Sequence, residues 1–89
     1  MSDDRALLLA LINQFYQDLE RLAEHDASLI LEDTSIVLFN ALLAAAAQAF
    51  PDHVYLAAFH PWEPRSVKAK DALICVGQLR ALLSHETGR

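Results

Sequence analysis

The sequence contains little of what several kinds of functional site require. It has one cysteine, two glycines and three prolines in 89 residues. A single cysteine excludes an internal disulfide framework, and two isolated glycines exclude a glycine-rich phosphate loop. No Gly/Ser/Pro-rich stretch divides the chain, so we predict one helical domain over residues 1–89.

Basic charge is also scarce. Seven Lys and Arg residues stand against twelve Asp and Glu residues, for a net charge of −5. We expect no nucleic-acid partner, because a phosphate backbone repels such a protein. The longest nearly uncharged run, residues 34–51, is shorter than the roughly 20 apolar residues that span a bilayer. Residues 1–4 lack the order of a secretory signal, so we expect a cytoplasmic protein with no membrane segment.

Apolar residues, in contrast, are abundant. They make up 54% of the chain, which is more than a domain this small buries easily. From Ser2 to about His25 they recur at spacings of three and four, which predicts an amphipathic helix with Ser2 as its N-cap. Leu9 and Tyr16 fall on the polar side of this helix, and we predict that they are exposed anchors.

A second helix is predicted to start near Asp33, Thr34 or Ser35, which are all competent N-caps, and to end at about Ala49, because Pro51 prevents its continuation. It carries no charge between Thr34 and Phe50. A helix that is apolar around its whole circumference belongs in an interior. We therefore expect it to pack against its own chain and against a second copy or a protein partner. The alternative is a compact monomer in which residues 29–31 and 53–59 cover it.

A third helix is predicted to begin with Ser66 as its N-cap and to end near Ser84 or Glu86. Gly77, in its middle, costs about 1 kcal/mol relative to alanine, which indicates close helix packing at that point. The predicted fold is an all-α bundle of three to four helices around a buried apolar central helix. An α+β fold with very short strands near 29–31 and 53–59 is the alternative, since periodicity over a few residues does not separate the two.

The leading functional hypothesis is a non-enzymatic interaction module, an adaptor, regulatory or accessory subunit that forms a homodimer or binds a protein partner. A polar amide in an apolar helix can set the register of helix pairing, and tryptophan is enriched at interface hot spots. With the two exposed anchors, these features select four interface candidates: Leu9, Tyr16, Asn40 and Trp62.

A second hypothesis places an anion site at the start of the third helix. Cations there oppose the helix dipole, and a bound phosphate or carboxylate would neutralise them together with the free backbone N–H groups. The alternative is a solvated basic turn, which is the commoner arrangement. The residues concerned are Arg65, Ser66, Lys68 and Lys70.

Features of an enzyme are sparse. The sequence has no Ser/His/Asp grouping and no carboxylate pair spaced for acid–base chemistry, so we predict no catalytic residues and no cofactor. His53, His60 and Glu63 match no metal-ligand spacing, so we predict no metal site. Cys75, among apolar neighbours, is predicted to be a small buried hydrophobe.

One short motif nevertheless has a known counterpart. Arg80 and His85, with four residues between them, resemble the active motif of HEPN-type helical ribonucleases. The resemblance covers six residues, and Ala81 occupies a position where that family often has a polar residue. It implies RNA cleavage, which we keep as a third hypothesis and do not adopt.

Overall fold

Three α-helices and one short 3₁₀ helix form the described part of the chain. The computed structural model describes residues 4–87, and side chains through residue 85. Helix α1 spans Asp4–His25, α2 spans Asp33–Ala49, a 3₁₀ helix spans Val54–Ala58 and α3 spans Ala69–Thr87. Within these residues the only β pairing is one isolated antiparallel bridge between Ile30 and Lys68. The all-α prediction is confirmed, and the alternative strands at 29–31 and 53–59 are wrong.

Helix α1 buries the stripe that its periodicity predicts. Asp4 in its first turn and His25 in its last turn suit the helix dipole. The predicted cap, Ser2, lies outside the described residues. Helices α1 and α3 pack along each other more extensively than α1 and α2 do. The buried residues of α1 are Leu8, Ile12, Phe15 and Leu19.

The α1–α3 contact is close at Gly77, as predicted. A Cβ atom added there would lie 3.1 Å from Cε1 of Tyr16. The Arg80 guanidinium lies 4.7 Å from the centroid of the same ring, and its Nε donates a hydrogen bond to Asn13 Oδ1. Tyr16 and Leu9 are half-buried against the core, so the prediction that they are exposed is wrong. The reason is that the covered face of α1 is wider than the row of apolar residues that recur at spacings of three and four.

Residues 29–31 connect α1 to α2 and also determine where α3 begins. Leu31 N donates to Val67 O at 2.9 Å, and Ala69 N donates to Leu29 O at 2.7 Å. Residues 66–68 thus lie along residues 29–31 and are not helical. Helix α3 therefore begins at Ala69, and not near Ser66 as predicted. Ser66 Oγ donates to Glu63 O at 2.6 Å and does not cap the helix.

Helix α2 is attached to the loop before α3 by two of its residues. The Phe39 ring stacks on Trp62 with centroids 3.7 Å apart. Asn40 Nδ2 donates to Trp62 O at 3.0 Å, and Trp62 N donates to Asn40 Oδ1 at 2.7 Å. The single polar side chain in the middle of α2 thus satisfies both backbone groups of Trp62.

We expect Asn40→Ala to lower the free energy of unfolding by about 1–3 kcal/mol, because it leaves two partly buried backbone groups without partners. Gln17→Ala, which removes an exposed amide from α1, is the control and should stay within about 0.5 kcal/mol of wild type. Urea denaturation at one protein concentration, followed by the fluorescence of the single tryptophan, measures both. Equal stability of the two variants would contradict the role of Asn40.

Candidate interaction surface

Helix α2 buries only one of its sides. The buried side consists of Ile36, Phe39, Leu42, Leu43 and Ala46. The opposite side is exposed and carries no charge: Val37 is 67% exposed and Leu38 is 44% exposed. Positions separated by three and four residues share a helix face, so these residues form one band with the alanines that follow. We call this band the α2 strip; its exposed members are Thr34, Val37, Leu38, Ala41, Ala44, Ala45 and Gln48.

Helix α1 extends this apolar area. Leu7 is 61% exposed and Leu11 is 48% exposed. A groove of about 430 Å³ lies between the first turns of α1 and the C-terminal half of α2. It is lined by Asp4, Leu7, Leu8, Leu11, Leu42, Ala45, Gln48 and Ala49. The α2 strip, Leu7 and Leu11 therefore make one neutral area, which we call the apolar surface.

Opposite charges lie at the two ends of α2. Glu32 and Asp33 are exposed at its N-terminal end. At its C-terminal end Arg5 Nε donates to Ala49 O at 3.1 Å, and the guanidinium lies 4.7 Å from the centroid of the Phe50 ring. The apolar surface thus runs from an acidic end to an end that carries both the fixed cation of Arg5 and the carboxylate of Asp4.

The four interface candidates from the sequence do not form one exposed face. Asn40 and Trp62 come together, but they bind each other. Leu9 and Tyr16 lie on α1 and pack against the core. The partly exposed Trp62 also lines a groove of about 540 Å³ between the 3₁₀ helix and α3. Sequence reasoning missed Leu7, Leu11, Val37 and Leu38; for the last two, the absence of charge in α2 was the available signal.

The anion-site residues remain on the surface but lack part of the predicted donor set. Ala69 N and Lys70 N, at the start of α3, donate to Leu29 O and Ala27 O at 2.7 and 3.1 Å. An anion at the start of α3 would therefore contact the basic side chains but would not accept hydrogen bonds from these two backbone amides. All four predicted residues are exposed: Arg65, Ser66, Lys68 and Lys70.

In the described part of the chain, the two residues of the nuclease-like pair lie on different sides of α3. Arg80 is held by Asn13 and Tyr16. His85 follows five positions later, which places it about 140° around the helix from Arg80. Among the side chains that the structure describes, no three His, Cys, Asp or Glu residues come together to hold a metal ion.

Cys75 is half-buried next to Trp62. Burial raises the pKa of the Cys75 thiol, and a hydrogen bond with the Trp62 side chain partly opposes that rise. The thiolate is the reactive form, so this environment suppresses the chemistry of the cysteine. Its partial burial agrees with the predicted packing role.

We expect Cys75 to react with a disulfide reagent at pH 8 several-fold more slowly in the folded protein than in urea-unfolded protein, because its raised pKa and its burial both reduce accessible thiolate. The pKa of the Cys75 thiol in the folded protein lies above its unfolded value of about 8.5. The thiol therefore contributes to the stability of the fold at pH values below about 8.5, and this contribution is lost as the pH rises through the folded pKa. Absorbance of the released thiol gives both rates. Equal rates would contradict the burial of Cys75.

The apolar surface is thus a continuous exposed area without charge on the α2 strip. No described helix has the length and apolar character needed to cross a bilayer. No family model, curated protein or solved structure matches this chain.

Proposed function

We propose that this protein is a non-enzymatic helical interaction module that self-associates through the apolar surface and serves as an adaptor, regulatory or accessory subunit in the cytoplasm. The observation that carries the proposal is the uncharged, solvent-facing side of α2, with Val37 67% exposed in its N-terminal half. Exposed apolar areas of this continuity are typical of protein–protein contact sites.

The elongated shape of the molecule suits a side-by-side contact. The molecule measures 39 × 21 × 20 Å, so a copy packed along its long side would cover the most surface.

The alternatives have less support. The anion hypothesis relied partly on free N–H groups at the start of α3, and Ala69 and Lys70 donate theirs to the preceding segment. The ribonuclease hypothesis relied on Arg80, which participates in the contact between α1 and α3. Neither arrangement brings a second reactive group to the site.

We expect Val37→Glu to convert a wild-type dimer into a monomer, because a buried, unpaired carboxylate opposes association. Ile74→Glu is the matched control: Ile74 is 61% exposed, lies on α3 outside the apolar surface, and receives the same charge. Size-exclusion chromatography with light scattering, from roughly micromolar to hundred-micromolar protein, gives the mass. Circular dichroism shows whether each variant keeps its helices.

The expected result is a dimer for wild type and Ile74→Glu and a monomer for Val37→Glu. A wild-type monomer at every concentration would overturn the proposal. A dimer that survives Val37→Glu as well as it survives Ile74→Glu would remove the apolar surface from it.

A further inference from the structure

We infer that the second copy packs its α2 antiparallel to the first, about a two-fold axis that passes near Ala41. This inference rests on the proposed function, since it requires a second copy on the α2 strip. Two-fold symmetry is the commonest arrangement of homo-oligomers, and it makes each copy present the same surface to the other. The α2 strip must therefore be complementary to itself. Its residues are complementary when the two α2 helices run antiparallel.

The sizes of the side chains specify the direction. The N-terminal half of the strip carries Val37 and Leu38, and the C-terminal half carries Ala44 and Ala45 next to the groove. Around an axis at Ala41, Val37 and Leu38 of one copy lie opposite Ala44 and Ala45 of the other. Each large residue then meets a small one, which is the arrangement that fills space. Parallel helices would oppose large residues at one end and leave a gap at the other.

The charges at the two ends favour the same direction. Antiparallel pairing about Ala41 brings Asp33 of one copy to the level of residue 49 of the other along the helix axis, at the end where Arg5 is held by the Ala49 carbonyl. The symmetry repeats this contact at the opposite end. Parallel pairing would instead place Asp33 beside Asp33, and like charges across an interface are unfavourable. Asp4 also lines this end of the groove, so we give the side-chain sizes the greater weight.

Alanines at the crossing point permit the close approach that this arrangement needs. Ala41, Ala44 and Ala45 have no side-chain atoms beyond Cβ, so the two helix axes can approach to about 8 Å, the short end of the usual range. At that separation, facing residues come near the Cα distance of about 4.4–6.8 Å that a disulfide requires. Engineered cysteines can therefore report the direction.

The test uses three single-cysteine variants in a Cys75→Ser background: Val37→Cys, Ala45→Cys and Ala41→Cys. The first two are oxidised alone and after mixing under conditions that exchange subunits, and disulfide-linked dimers are quantified on non-reducing gels. We expect Ala41→Cys to cross-link alone, because it lies near the axis. We expect the mixture of Val37→Cys and Ala45→Cys to cross-link at least five-fold more than either variant alone. Ile74→Cys, outside the apolar surface, gives the background from random collisions.

The outcomes separate this inference from the proposed function. Efficient cross-linking of Val37→Cys alone and of Ala45→Cys alone, in a dimeric protein, would overturn the antiparallel pairing and leave self-association through α2 in place. Cross-linking at the Ile74→Cys background for every variant of a dimer would place the contact elsewhere and overturn both. A monomeric wild-type protein would also overturn both.

Discussion

The structure depends on one constraint: α2 has more apolar circumference than the other elements of the chain cover. Helices α1 and α3 pack extensively against each other, so neither is free to enclose α2. The 3₁₀ helix and the loop to α3 supply further cover, chiefly through Leu56 and Trp62. One side of α2 is consequently buried and the other faces solvent without charge. In a chain of 89 residues, surface-to-volume scaling leaves little material to close that side.

The loop before α3 binds α2 by specific contacts. Phe39 provides a ring for Trp62 to stack on, and Asn40 pairs with the backbone of the same tryptophan. Asn40 is thereby used inside one molecule, although a polar residue at such a position can also set the register between helices. What remains exposed on α2 consists of aliphatic residues and alanines, with Thr34 and Gln48 near its ends. The centre of this strip has no polar side chain, so association through it would bury no polar group that lacks a hydrogen-bond partner.

The charge distribution is consistent with a neutral contact on an acidic protein. A net charge of −5 makes two copies repel at long range. A surface whose centre carries no ionised group is where two such molecules can approach with the smallest desolvation cost. The fixed cation at Arg5 and the acids at Glu32 and Asp33 lie at its two ends, and charges at the rim of a contact generally orient partners more than they add affinity.

The sequence by itself determined the helices, because their signals are local. Spacings of three and four predicted α1, Pro51 predicted the end of α2, and Gly77 predicted close helix packing at that point. Tertiary structure alone decided the rest. The start of α3 at Ala69, instead of near Ser66, depends on hydrogen bonds to residues 27–29, about forty positions earlier in the chain.

The candidate surface was predictable only in part for the same reason. The absence of charge in α2 predicted a buried central helix, but within the chain only one of its sides is covered. The residues forming the other side could not be read from a helix that is apolar all round. Leu9 and Tyr16 became half-buried and Leu7 and Leu11 stayed exposed once neighbouring elements covered one flank of α1. Periodicity shows which residues share a face, whereas contacts between distant parts of the chain decide which face is covered.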